Sequence, residues 1–163
     1  MNRRQFLQRT SLALGAAGLA SASLPSTLMA QEKKAQPFQI IAFSKPFQTF
    51  SPKETADFVA EVGWDGIECP VRAKGQVLPE RVEEDLPKMV EAMKKNGKEV
   101  SIITTDIKDA SDPLTQKVLR TAAKLGIKRY RLTFWKYTKT QPIPEQIKEI
   151  AAQLRDLAQL NKE

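Results

Sequence analysis

Residues 63–72 have the sequence Gly63-Trp64-Asp65-Gly66-Ile67-Glu68-Cys69-Pro70-Val71-Arg72. Gly63 lies just past an apolar helical stripe, where a glycine in the left-handed conformation commonly ends a helix. The following residues, 64–69, predict a short buried strand. We expect Pro70 to end that strand because proline has no backbone amide to donate. Residues 63–72 therefore predict a helix end, a strand and the loop that begins at Arg72.

The same succession of strand and helix is predicted four times. Strands are predicted at residues 38–44, 64–69, 100–105 and 127–135, and helices at residues 52–62, 82–95, 113–125 and 144–160. Gly63, Gly97 and Gly126 end the first three helices, so each unit spans about thirty residues. Pro87 is expected to kink the second helix or to mark its true start. Units of this kind join parallel strands by right-handed crossovers.

A parallel sheet must be covered on both faces or must close into a barrel. An open sheet with helices on both faces is one solution, and a TIM (β/α)8 barrel is the other. Asn161 stands where the earlier units have glycine, and the sequence stops where a fifth strand is expected. The predicted fold class is therefore α/β, with four strands and four helices forming the N-terminal half of a barrel.

Glu68 needs a partner, because a carboxylate on a buried strand is costly when it stands alone. Side chains alternate along a strand, so Glu68 points away from the face of Ile67 and Cys69. Arg131 lies in the fourth predicted strand, on the face opposite Leu132 and Phe134, which are expected to meet the helices. Alternate strands of a barrel share a layer, so Glu68 and Arg131 are expected to form a charge-assisted pair. That pair could serve a ligand or only satisfy itself.

Further polar residues follow the predicted strand ends: Lys45, Arg72, Thr105, Asp106, Lys136 and Tyr137. Ligands bind at this edge in barrels and in open α/β sheets. The three cations suit an anionic or polyhydroxylated ligand, although each could equally be a solvated loop charge.

Composition narrows the functional classes. The chain of 163 residues carries a net charge of +7 but has no Lys/Arg cluster interleaved with aromatic residues, which argues against nucleic-acid binding. Cys69 is the single cysteine, so no internal disulfide can form, and it is expected to be a core residue. The sequence has no histidine, which is the commonest metal ligand and general base.

The first thirty residues have the organisation of a signal peptide. Arg3-Arg4 followed by Phe6-Leu7 resembles the twin-arginine export motif, and a small residue, Ala30, could precede cleavage. The apolar run at residues 11–24 is shorter than the ~20 residues that span a bilayer, which argues against the alternative of a stable membrane anchor. The predicted organisation is a signal peptide at residues 1–30, a linker at 31–36 and one domain at 37–163. The protein is expected to be periplasmic or secreted.

Three motifs resemble the sugar phosphate isomerase/epimerase family, the xylose isomerase-like TIM barrel group, and most closely its secreted twin-arginine branch. They are Phe43-Ser44-Lys45-Pro46-Phe47, the stretch at residues 63–72, and Tyr130-Arg131-Leu132. The resemblance covers residues 37 to about 160, the N-terminal half of the family's fold, and implies a role in carbohydrate metabolism.

In that family a divalent metal (Mn, Mg or Zn) is held by two Glu, one Asp and one His near the later strand ends, and carboxylates move a proton between neighbouring carbons. That ligand set is missing from this sequence, so this chain alone is expected to bind no metal and to be inactive. The resemblance implies that the pocket for a sugar or polyol includes Glu68, Arg72, Lys45, Trp135 and Lys136. The catalytic residues stay unassigned.

Three functional interpretations remain open at this point. The first is a metal-assisted sugar isomerase or epimerase, seen as an incomplete chain. The second is a non-catalytic periplasmic carbohydrate-binding half barrel that associates with itself through its open sheet edges. The third is a lyase resembling inosose dehydratase.

Overall fold

The computed structural model describes residues 38–163. Its strands are β1 (Ile41–Phe43), β2 (Gly66–Val71), β3 (Glu99–Thr105) and β4 (Tyr130–Arg131), and its helices are α1 (Pro52–Val62), α2 (Val82–Lys95), α3 (Pro113–Lys124) and α4 (Ile143–Leu160). The predicted signal peptide and linker lie outside the described residues. Within residues 38–163, no helix has both the length and the apolar character needed to cross a membrane.

Local sequence sets the ends of the helices. Ser51 and Glu54 form a capping box at the start of α1, in which the Glu54 carboxylate accepts a hydrogen bond from the Ser51 amide at 2.8 Å. Asp112 caps α3 by accepting a hydrogen bond from the Leu114 amide at 3.0 Å. Gly63 ends α1 with a φ of 86°, which only glycine adopts without strain.

The four strands form one parallel sheet in the order β1-β2-β3-β4. Because parallel crossovers are right-handed, this strictly sequential order puts every connecting helix on the same face. In agreement, α1 packs against α2, and α2 packs against α3. A doubly wound sheet would have helices on both faces. The predicted α/β fold, four parallel strands and four helices arranged as in half a barrel, is confirmed.

The core lies between the sheet and the helices. Ile67 and Cys69 of β2 and Ile103 of β3 are completely buried, in one cluster with Val59 of α1 and Met93 of α2. The predicted alternation in β2 is therefore confirmed. Close contact between β2 and β3 also explains why residue 66 is a glycine. A Cβ at this position would lie 2.6 Å from the carbonyl oxygen of Glu99. That close approach allows no side chain at position 66.

Pro70 does not end β2, contrary to the prediction. The carbonyl oxygen of Glu68 faces β1, where it accepts a hydrogen bond from Ser44 at 3.0 Å. Pro70, two residues later, faces the same way but lies beyond Phe43, the last residue of β1. Its missing amide therefore removes no hydrogen bond from the sheet, and β2 continues to Val71.

Other element boundaries also differ from the prediction. β1 starts at Ile41 rather than Phe38, because the Ile40 amide donates to the Asp65 carboxylate at 2.8 Å instead of to a strand. Pro87 lies inside α2, so it does not mark the start of that helix.

The largest differences lie at the end of the described chain. β4 comprises only Tyr130–Arg131 instead of residues 127–135, and Phe134, expected to face the helices, is 68% exposed. The apolar spacing of the last helix predicts burial of six residues: Ile147, Ile150, Ala151, Leu154, Leu157 and Ala158. Of these only Leu157 is buried, whereas Ile147 and Leu154 are exposed. Among residues 38–163, β4 has a neighbouring strand on one side only. Nothing there pairs with the residues after Arg131 or covers the outer side of α4.

Candidate functional site

The sheet face without helices carries a row of side chains from all four strands. Phe43 of β1 pairs with Glu68 of β2, and Thr104 of β3 pairs with Arg131 of β4. The face of Ile67 and Cys69 meets the helices, so the alternate positions belong to the opposite face. We call this row the polar strip and define it as Phe43, Glu68, Thr104 and Arg131.

An ion pair lies at the centre of the polar strip. The Nε of Arg131 lies 2.9 Å from Oε1 of Glu68, so the predicted pairing of these residues is confirmed. Thr104 links the two, because its hydroxyl donates to the Glu68 carboxylate and accepts from Nη2 of Arg131 at 3.2 Å. The guanidinium also lies over the ring of Phe43, 4.9 Å from its centroid.

The two charges differ in their access to solvent. The Arg131 side chain is 53% exposed and that of Glu68 is 18% exposed. Thr104 and Arg131 both approach Oε1, so the second carboxylate oxygen of Glu68 can accept a further hydrogen bond. A guanidinium has five N–H donors, of which this arrangement uses two. Such a pair can accept from one hydroxyl group and donate to the next, which suits a ligand with neighbouring hydroxyls.

Arg72 and Lys45 follow the strands that carry Glu68 and Phe43. Arg72 is partly buried directly after β2, and Lys45 is exposed in a 3-10 turn after β1. Both belong to the carboxyl-terminal edge of the sheet, as predicted. Among the contacts within residues 38–163, neither side chain forms an ion pair with the polar strip.

Trp135 and Lys136 lie in the loop between β4 and α4. The Trp135 indole donates to Gln153 of α4 at 2.7 Å, and Nζ of Lys108 lies 6.0 Å from the ring centroid. Lys136 instead approaches the ring of Phe134, at 5.8 Å. The five residues predicted to form a pocket thus lie at or after strand ends, but within residues 38–163 no side-chain hydrogen bond or ion pair joins any two of them.

Sequence reasoning missed a buried polar network behind the site. Gln76 accepts from the hydroxyl of Ser44 at 2.7 Å and donates to the hydroxyl of Thr55 at 2.8 Å. It thereby ties the loop after β2 to the end of β1 and to α1. Ser44 and Thr55 are completely buried. Gln76 lies in a loop among charged and small residues, so no periodic sequence pattern indicates its role.

The loop that carries Arg72 is itself tightly folded. Val77 donates to the carbonyl of Pro70, Arg72 donates to that of Val77, both at 3.1 Å, and Gly75 donates to that of Arg72 at 2.8 Å. Lys74 takes a positive φ of 56° to make this turn. The loop therefore presents Arg72 from a fixed backbone.

Thr105 also has a structural role. The sequence places it among the polar groups that follow the strands. In the structure it is buried, and its hydroxyl donates to the carbonyl of Arg131 at 3.0 Å. This bond joins the ends of β3 and β4 and helps to place Arg131.

The residues described do not fit a divalent metal. Within residues 38–163, no three His, Cys, Asp or Glu side chains come together as ligands would. Glu68 is engaged by Arg131 and Thr104. Burial raises the pKa of the Cys69 thiol to about 12, so it stays protonated and is no thiolate ligand at neutral pH.

A cleft between two helices lies away from the polar strip. It measures about 550 Å³ and lies between α3, α4 and the residues that lead into β4. Residues 126–129 bring the chain to the amino-terminal end of the sheet, whereas Arg72 and Trp135 follow the carboxyl-terminal end. This cleft is therefore not part of the candidate site.

The fold and the site together define an α/β protein of parallel (β/α) units with its polar groups on the helix-free face. Its structural neighbours are sugar epimerases with the xylose isomerase-like TIM barrel fold. One is 3-keto-D-glucoside 4-epimerase YcjR from E. coli in its apo form, with a TM-score of 0.54, 17% identity, and 76% of this chain and 52% of that chain covered.

Another neighbour is D-psicose 3-epimerase in the presence of D-fructose, with a TM-score of 0.50 and 16% identity. The likeness covers 77% of this chain and 49% of that chain. This chain therefore spans about half the length of both structures, and at these identities the likeness shows the fold alone. No family model and no curated protein matches the sequence.

Proposed function

We propose that this protein is a sugar isomerase/epimerase-like protein whose residues 38–163 bind and orient a carbohydrate or polyol. The observation that carries the proposal is the Glu68–Arg131 pair, held at 2.9 Å on the helix-free face of a sheet with the neighbours' fold. Arg72, Lys45, Trp135 and Lys136 belong to the same proposal as residues at the edge of the pocket.

Chemical roles follow from the groups in the polar strip. The second oxygen of Glu68 accepts from a hydroxyl, and the remaining N–H groups of Arg131 donate to a neighbouring hydroxyl or carbonyl oxygen. Phe43 and Thr104 hold the guanidinium in place. These residues orient a substrate, and no step through a metal is assigned to them.

Ligand titration tests the proposal. We expect D-fructose or D-psicose, added to the full chain, to shift the amide resonances of the polar strip in two-dimensional NMR spectra. Glu68→Gln should weaken this binding by about tenfold, because a neutral amide accepts less strongly than a carboxylate. Lys94→Gln on the exposed face of α2 is the matched control and should change nothing. If neither sugar shifts these resonances at saturating concentration, the proposal is wrong.

Export by the twin-arginine route is part of the same proposal, with Arg3-Arg4 and Phe6-Leu7 as its support. Replacing both arginines by lysine should leave the precursor in the cytoplasm. Fractionation of cells that produce either form measures this, and equal periplasmic accumulation of both would contradict the proposal. We also propose self-association through the free edges of β1 and β4.

A further inference from the structure

We propose that Gln76 is a positioning residue that joins two loops at the carboxyl-terminal edge of the sheet and thereby sets where Lys45 and Arg72 stand for a ligand. We define the Lys45 loop as residues 44–48 and the Arg72 loop as residues 72–77. For the identity of the ligand this inference rests on the proposed function, whereas the joining of the loops can be measured without any ligand.

The side-chain amide of Gln76 is hydrogen-bonded at both of its ends. Its oxygen accepts from the Ser44 hydroxyl at 2.7 Å, and its nitrogen donates to the Thr55 hydroxyl at 2.8 Å. Ser44 and Thr55 are completely buried, so water cannot take the place of the amide while the loops are closed. Separating the Arg72 loop from the Lys45 loop therefore breaks a buried hydrogen bond.

A second hydrogen bond joins the same two loops at their outer side. Nε2 of Gln48 donates to the carbonyl oxygen of Lys74 at 3.0 Å. This bond is exposed, so water competes for both of its partners and it restrains the loops only weakly. The buried bond between Gln76 and Ser44 is therefore the main restraint.

Each loop has a backbone that transmits this restraint to its cation. In the Lys45 loop the Phe47 amide donates to the carbonyl oxygen of Ser44 at 3.0 Å, which closes the 3-10 turn that contains Lys45. In the Arg72 loop the Arg72 amide donates to the carbonyl oxygen of Val77 at 3.1 Å. Arg72 and Gln76 thus belong to one closed turn, and a shift of Gln76 shifts Arg72 with it.

Ser44 also connects this arrangement to the polar strip. Its amide donates to the carbonyl oxygen of Glu68 at 3.0 Å, and it directly follows Phe43 in sequence. The two cations and the polar strip therefore belong to one hydrogen-bonded frame with Gln76 behind it. A ligand that contacts both meets groups already in position, and such preorganisation raises affinity because less ordering is needed on binding.

Hydrogen exchange on the full chain tests whether Gln76 joins the loops. Gln76→Met keeps a side chain of similar length but removes both buried bonds. We expect the amides of Phe47, Arg72 and Gly75 to exchange about tenfold faster relative to the amide of Ile103, which reports global unfolding. The increase should be similar in the two loops, because opening either one no longer breaks a buried bond.

Two further variants accompany this measurement. Ser44→Ala removes the partner hydroxyl and leaves Gln76 in place, so it should speed exchange in both loops as Gln76→Met does. Gln116→Met is the matched control. Gln116 is also partly buried and donates to a loop carbonyl, that of Ala110 at 3.2 Å, but its loop carries none of the five predicted pocket residues. It should leave both the Lys45 loop and the Arg72 loop unchanged.

Sugar binding separates positioning from stability. Titration with D-fructose, followed through the amide resonances of the polar strip, should show an affinity about fivefold weaker in Gln76→Met than in wild type. In a Lys45→Met/Arg72→Met background the same substitution should weaken binding by less than about twofold, because no cation is left to position. A structural role alone would weaken binding equally in both backgrounds. Gln116→Met should bind like wild type.

The outcomes that overturn the proposal are distinct from those that overturn the proposed function. Unchanged exchange in both loops, or faster exchange in the Arg72 loop alone, would overturn the joining of the loops by Gln76. An equal loss of sugar affinity with and without the two cations would overturn its positioning role. A wild type that binds neither D-fructose nor D-psicose would overturn the proposed function and the positioning of a sugar with it, whereas the exchange rates would still decide whether Gln76 joins the loops.

Discussion

At the scale of single residues, the Glu68–Arg131 pair is suited to recognition more than to stability. Half of the Arg131 side chain is exposed, so solvent screens its attraction to Glu68. Its geometry is nevertheless fixed on three sides, by Glu68, Thr104 and the ring of Phe43. A charged group that is held in place but open to solvent can exchange water for a ligand at small cost.

A double-mutant cycle measures how strongly this pair is coupled. Glu68→Gln, Arg131→Met and the double variant should give a coupling free energy of about 1 kcal/mol in urea unfolding. The exposed pair of Lys53 and Asp57, at 2.6 Å on α1, is the control and should give a clearly smaller coupling, because solvent screens both charges. Coupling no larger than in the control would show that the polar strip does not fix the pair.

Cys69 gives a second prediction at this scale. Burial raises the pKa of its thiol to about 12, so at pH 8 the thiol stays protonated and enclosed by the core. We expect Ellman's reagent to react with Cys69 in the native protein no faster than the protein unfolds. In about 8 M urea, where the protein is unfolded, the reaction should be rapid. Prompt reaction without denaturant would place Cys69 outside the core.

At the scale of elements, α2 shows how a charged first turn contributes to stability. Hydrogen bonds from Arg81 and Lys88 lower the pKa of Asp85 from 3.8 to about 2. Because the folded pKa is depressed, this stabilisation is present above pH 3.8 and is lost as pH falls towards 2. Asp85→Asn should therefore lower the free energy of unfolding by about 0.5 kcal/mol at pH 6, after allowance for solvent screening, and by clearly less near pH 2, where the folded carboxyl is about half protonated. Urea unfolding at both pH values checks this, and an equal effect at both would contradict it.

The elements also show how far the sequence predicts this fold. Helix bounds followed closely from local chemistry, as at the capping box of Ser51 and Glu54 and at Gly63. The Glu68–Arg131 pair followed from strand alternation together with the layering of alternate strands in a barrel. The extent of the edge strand β4 could not be predicted in this way. Whether residues 132–135 form a strand depends on a neighbouring strand and not on their own sequence pattern. The predicted burial of the apolar residues of α4 was wrong for the same reason, because within residues 38–163 nothing covers the outer side of this helix.

The network around Gln76 was out of reach for a different reason. Its partners Ser44 and Thr55 are 32 and 21 residues away in sequence. Nothing periodic connects a loop glutamine with two hydroxyls that the fold happens to bury. Hydrogen bonds of this kind are set by tertiary structure, so they are found only after the elements are in place.

At the scale of the whole molecule, the sheet is covered unevenly. β2 and β3 have neighbours on both sides and carry the completely buried Ile67, Cys69 and Ile103. β1 and β4 are short edges, and α4 buries only Gln146 and Leu157. Since burial and hydrogen bonding set the free-energy cost of local opening, stability should decrease from the centre of the sheet towards β1 and β4.

Native-state hydrogen exchange at low protein concentration, where copies do not associate, tests this gradient. The amides of Ile67, Cys69 and Ile103 should exchange only through global unfolding, so their exchange free energies should equal the free energy from urea unfolding. Amides in the middle of α4 should exchange with a free energy lower by about 2 kcal/mol or more, because this helix has little buried surface to lose. Raising the concentration until copies associate should remove most of that difference. If α4 is as protected as β3 in the isolated chain, its outer face is already covered there, and the expected decrease in stability towards α4 is wrong.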